Sequence, residues 1–223
     1  RFRAFGQRDL RLLIVVASPL QLEAYGLDPF PALQVARRLA EAAHPLPIAT
    51  LAAEADAPAR LGPPTIDALC QALTEQPFTL LHIVCHGQLR SDGETVLYLA
   101  DEAGHVKPIS ATQLIARLSR LRGDFGLPHF VFLAACESAH PQAEGALGGL
   151  GQRLVRELGM PAVVAMTSRV ALDLAITLSQ RFYPRLLRGG YVDVALSEAN
   201  ASLADHIDVL VPALYSRLGE RAL

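Results

Sequence analysis

An α/β fold, with a mostly parallel central sheet and helices on both faces, is what this 223-residue sequence predicts. Two observations carry that prediction. Short runs rich in Val, Ile, Leu and Phe stop abruptly at Pro, Gly or a polar residue, as buried parallel strands do. Between them lie segments of helical length, and strand–helix alternation of this kind builds a sheet covered on both sides.

The first strand reads as LRLLIVVAS, residues 10 to 18, closed by Pro19, which fixes its own φ and restricts the residue before it. A helix is expected over residues 31 to 43, and PIATLAA, residues 47 to 53, is a short second strand. Pro58, Pro63 and Pro64 mark a turn, after which Thr65 has the chemistry of an N-cap for a helix to about Gln76. FTLLHIVCHG, residues 78 to 87, is the next strand and ends in His86. The segment that follows contains a polar Gly-bearing turn, an alternating strand around residues 95 to 100 and a second turn, which together suggest an antiparallel hairpin or flap. Ser110 and Gln113 form a capping-box signature for a helix to about Leu121. HFVFLAACES, residues 129 to 138, is a strand ending in Cys136. A helix over Gly145 to Leu158, a strand in MPAVVAMTS, a helix from Asp173 to Leu187 bent by Pro184, a helix near 192 to 205 and a final strand in VPALYS complete the order.

Composition narrows the function classes. With 51% hydrophobic and 19% charged residues, the chain is a folded globular protein large enough for one sizeable core, and we treat residues 1–223 as one domain. A net charge of -2 supplies no broad footprint for nucleic acid. Three cysteines without close pairing do not resemble a secreted disulfide framework, so a reducing cytoplasm is the expected compartment. No run of about twenty apolar residues is present to span a bilayer, and the first ten residues lack the apolar core of a signal peptide. The start at Arg1 without Met is expected of a module cut from a longer multidomain polypeptide, or of simple trimming.

The chemistry concentrates at His86 and Cys136. Parallel strands end on a common edge where reacting groups of open α/β sheets collect, and neighbouring strands lie about 4.8 Å apart. A thiol attacks as thiolate and needs a base or positive neighbour. His86 supplies one that titrates near neutral pH and can return the proton to a leaving amine. Gly87 offers a backbone N–H for a developing oxyanion without a side chain in the way, and the Cys136 amide is a second donor. Taken singly, Cys136 fits a buried small hydrophobe and His86 a turn cap. Their register at two strand ends favours a dyad.

Other sites fare less well. Cys85 falls on the opposite face of its strand and reads as core. Clustered Cys or His ligands with zinc spacing are missing, and His82 and His86, four apart, sit on a strand where that spacing does not make a metal pair. The glycines of GALGGLG lack the dinucleotide pattern and suit close helix packing. Neither a P-loop nor a Gly-x-Ser-x-Gly elbow occurs. No metal and no cofactor is therefore expected.

The segments LLHIVCHG, VFLAACESA, GLGQRLVRELGMPAVVAMTSRVALDLA, FYPRLLRGGYVDVALSEA and VPALYS, in that order, resemble the CHAT domain, a family of caspase-like cysteine peptidases also related to separases. The likeness covers most of residues 10 to 217, and His86 stands fifty residues before Cys136, near the caspase spacing. The resemblance implies a caspase-like three-layer sandwich, with His86 as general base and acid, Cys136 as nucleophile, and the Gly87 and Cys136 amides as the oxyanion hole. It also implies a protein or peptide substrate, and a regulatory sensor or repeat domain in bacterial signalling, defence or cell death. A catalytically silent interaction module with the same fold is the alternative. The caspase Gln-Ala-Cys pattern reads Ala134-Ala135-Cys136 here, and Glu137 follows the nucleophile, so a preference for Asp before the cleaved bond does not carry over. Glu137 either repels acidic substrate side chains from the pocket or is solvated or caps an amide. Ser18, Ala134, Ser138 and Thr167 are further candidate pocket residues, and Asp173 is either one of them or, more simply, a helix N-cap.

Overall fold

The computed structural model describes residues 10–121, 126–135, 146–166, 171–203, 212–219 and 221–223. The strands are β1 Leu12–Ala17, β2 Ile48–Leu51, β3 Arg60–Gly62, β4 Leu80–Leu89, β5 Thr95–Ala100, β6 Val106–Ser110, β7 Phe130–Ala135, β8 Ala162–Met166 and β9 Pro212–Ser216. The helices are α1 Ala32–Ala43, α2 Ile66–Glu75, α3 Ala111–Leu118, α4 Ala146–Glu157, α5 Leu172–Gly189 and α6 Val192–Ala201.

Among the described residues the strands form one sheet in the order β3-β2-β1-β4-β7-β8-β9, with β5 and β6 attached beside β4. Every pairing from β3 to β8 along that path is parallel, and β9 closes the edge antiparallel to β8. Strand alternation sorts side chains into two cores. Leu12, Ile14, Val16, Leu80, Val84, Phe130, Phe132 and Val164 join α1, α5 and α6 on one side. Leu13, Val15, Leu81, Ile83, Cys85, Val131 and Val163 join α2, α3 and α4 on the other. A sheet buried on both faces explains why its strands read as continuous apolar runs.

Local signals hold where short-range chemistry sets them. The Thr65 hydroxyl accepts from the Ala68 N–H at 3.0 Å and starts α2. The Ser110 and Gln113 side chains exchange bonds with each other's backbone at 3.1 and 2.9 Å to start α3. The expected flap is the β5–β6 hairpin, but β5 is buried on both faces instead of alternating. Leu97 and Leu99 enter the second core, while Val96 and Tyr98 meet Leu22 and Leu27 in a small third cluster. β3 lies inside the stretch expected to be only a Pro-rich turn: Arg60 and Gly62 pair with Thr50 and Leu51 of β2, too short a run to leave a periodic signal.

α5 begins one residue before the expected start, so Asp173 is not its N-cap. Ala171 holds that place without a side-chain bond, and Asp173 sits in the first turn and accepts from Arg38 Nη1 of α1 at 2.5 Å. Gly151 of α4 sits where packing is close. A Cβ on Gly151 would stand 3.0 Å from Tyr215 Cδ2 and 3.1 Å from Ala165 Cβ. Gly151→Val is therefore expected to lower stability by about 1–3 kcal/mol through overpacking, and an unmoved denaturant midpoint would contradict that close fit. Among the described residues no helix is long and apolar enough to cross a membrane.

Candidate active site

His86 stands where β4 changes neighbours. Residues 80 to 85 pair in parallel with β1 on one side and β7 on the other. From His86 onward the strand pairs antiparallel with β5, His86 opposite Tyr98 and Gly87 opposite Leu97. The sequence suggests a strand that stops at His86; the backbone instead remains extended to Leu89, because β5 takes over its pairing. The parallel layer does end there, and the register partner of Cys85 is Ala135, the last residue of β7.

The His86 imidazole lies on the α1/α5 face and is 1% exposed. Its Nε2 is 2.8 Å from the backbone oxygen of Asp28. A carbonyl oxygen only accepts, so Nε2 carries the hydrogen and, in the neutral ring, the lone pair is on Nδ1. Nδ1 is buried and has no hydrogen-bond partner among the described residues. A buried lone pair without a donor is costly unless something else uses it. Burial pushes the His86 pKa below the usual imidazole range, while the Asp28 carbonyl and charge pull back upward. The ring is thus biased toward its neutral, proton-accepting form. Phe30 meets it edge-on, ring centroids 5.6 Å apart.

Cys85 has the opposite character. It is buried in the second core and its thiol is pushed up to about 12, mainly by burial, so it remains protonated and inert at neutral pH. Ala134 is buried in the first core opposite Val84. Ser18, just after β1, accepts from the Phe30 N–H at 2.9 Å. Asp173 is engaged with Arg38. Cys136, Glu137, Ser138 and Thr167 lie outside the described residues.

Sequence reasoning did not find Asp28 and Phe30. Asp28 acts through its main chain, which any residue supplies, and it stands 58 positions from His86. The one available signal was the run Asp28-Pro29-Phe30-Pro31, stiff enough to present a carbonyl in a set direction.

A protein-family model described as "CHAT domain" matches residues 3–209. Among solved structures, the chain is similar to the Arg-specific cysteine proteinase gingipain R, with a TM-score of 0.54 and 12% identity over 97% of this chain and 48% of that one. It is also similar to the complex of Porphyromonas gingivalis RgpB pro- and mature domains, with a TM-score of 0.53 and 12% identity over 97% and 49% of the two chains. This chain therefore spans about half the length of those structures. No curated protein matches its sequence. The structural likeness extends to the mostly parallel sheet flanked by helices, the fold expected of a caspase-like protein.

Proposed function

Because the chain belongs to the CHAT domain family of caspase-like peptidases, we propose that it is a cysteine endopeptidase working through Cys136 and His86. The observation that carries this reading is the His86 ring: Nε2 is committed to the Asp28 carbonyl, leaving Nδ1 buried with no partner among the described residues. In sequence, His86 and Cys136 directly follow Cys85 and Ala135, which are register partners across β4 and β7.

In the proposed reaction Nδ1 takes the thiol proton, and Cys136 Sγ attacks the scissile carbonyl carbon. The Gly87 and Cys136 amides donate to the oxyanion. The C–N bond breaks as the Nδ1 proton passes to the leaving amine, giving a thioester. Water then gives a proton to His86 and attacks the thioester carbon; the acid product leaves and the thiol is restored. Glu137, Ser138, Thr167 and Asp173 are proposed to shape substrate choice around this centre; Ala134, buried in the first core, is not among them. We also propose a cytoplasmic module, attached to or paired with a regulatory domain, that cuts a specific protein in bacterial signalling, defence or cell death.

Labelling tests the reading directly. A peptide-based electrophile, applied to the protein with any activating partner present, is expected to modify Cys136 and to be blocked by a cleavable peptide. Failure of Cys136 to be modified under these conditions would instead favour the silent interaction module.

A further inference from the structure

The loop between β1 and α1 grips His86 at two points, the Asp28 carbonyl and the Phe30 ring. What holds the loop is unusual in composition. Pro29 and Pro31 have no N–H, so Phe30 supplies the sole backbone donor across residues 29 to 31. That donor goes to the Ser18 hydroxyl at 2.9 Å. Ser18 in turn stands immediately after β1, whose last residue, Ala17, is the register partner of Cys85, the neighbour of His86. A four-part chain results: Ser18 Oγ holds Phe30 N, the Pro-stiffened segment fixes Asp28 O, and Asp28 O accepts from His86 Nε2.

The outer half of the same loop is tied down separately. Leu20 exchanges backbone bonds with the β5–β6 hairpin, its N–H to Gly104 O and its carbonyl from Val106 N–H, both at 2.9 Å. Leu22 and Leu27 pack with Val96 and Tyr98. Loss of the Ser18 bond therefore frees the returning segment 28 to 30 without releasing the whole loop.

We propose that Ser18 is a positioning residue that holds the Asp28 carbonyl on His86, keeping the imidazole hydrogen on Nε2 and the lone pair on Nδ1. Its part in catalysis rests on the peptidase reading; the tautomer effect does not. Without the carbonyl in place, a neutral imidazole can exchange its hydrogen between the two nitrogens, and the fraction able to accept a thiol proton at Nδ1 falls.

The test reads the ring itself. Nitrogen NMR of the His86 side chain is expected to show the Nε2–H form in the unsubstituted protein. Ser18→Ala is expected to add the Nδ1–H form and to move the His86 titration to lower pH, because a support for the charged ring is loosened. Ser18→Thr, which retains the hydroxyl, is expected to restore both. With a cleavable peptide, Ser18→Ala is expected to lower kcat roughly three- to tenfold while KM stays nearly constant, the scale of one hydrogen bond. An unchanged tautomer and titration in Ser18→Ala would overturn the proposal. If that variant does not fold, amide exchange in the unsubstituted protein decides: Phe30 N–H protection supports the bond, and exchange at the rate of an open chain defeats it. NMR changes in a protein that cleaves nothing count against the peptidase reading and leave the positioning role supported.

Discussion

Peptide cleavage by His86→Ala is expected to fall by about 10²–10⁴-fold, the range for loss of a general acid–base group. The pH profile sharpens the expectation. The base must be neutral to take the thiol proton, so activity falls as pH drops through the His86 pKa, which burial places below the usual imidazole range. The acid limb of kcat/KM in the unsubstituted protein should therefore lie below about pH 6.5, and His86→Ala should lose it. Cys136→Ala is expected to be more severe, because it removes the atom that attacks. Cleavage that persists undiminished in Cys136→Ala would sink the peptidase reading, whereas full activity in His86→Ala would remove only the base assignment.

Acid is expected to unfold this protein, with His82 a principal cause. His82 is fully buried one turn of alternation below Val84 on the face of His86. It stacks on Phe132 with ring centroids 4.7 Å apart, and its Nδ1 is 2.7 Å from the Tyr183 hydroxyl. The opposite nitrogen, Nε2, has no hydrogen-bond partner among the described residues. Burial lowers the His82 pKa to about 3. The unfolded chain, with an ordinary imidazole near 6.5, binds this proton first. The His82 contribution is thus fully present above about pH 6.5, declines as pH falls by roughly 1.4 kcal/mol per unit, and is lost by about pH 3. The total is on the order of 5 kcal/mol, comparable to the stability of many small domains. Denaturant unfolding of the unsubstituted protein and of His82→Phe, compared between pH 7.5 and 4.5, checks it. The variant loses Tyr183's partner and is weaker at neutral pH by about 1–3 kcal/mol, but its stability should fall less steeply on acidification. Equal slopes would contradict the assignment. His86 and His129 are also depressed by burial and leave a residual slope in both proteins.

Much of this was legible in the residues. The runs around β1, β4, β7 and β8 betray strands buried on both faces, and Thr65 and Ser110 announce α2 and α3 through bonds spanning three residues. The segments around His86 and Cys136, in their order, identified the family. Asp173 was misplaced as an N-cap because residues near a helix start differ little in local preference; its contact with Arg38 on α1 lies 135 positions away in the chain. The fate of β4 beyond His86 was equally hidden, since whether a strand stops or continues depends on the neighbour that takes its hydrogen bonds.

By itself the sequence determined the layered α/β class, the two residue types able to form a thiol dyad, and Cys85 as core, because burial and period are local properties of the chain. Tertiary structure decided the state of His86. Its tautomer follows from a main-chain oxygen at Asp28, its bias toward neutrality from burial, and the direction of that carbonyl from a segment pinned by Ser18. A backbone carbonyl leaves no mark in the alphabet of side chains, and only folding brings this one to the ring.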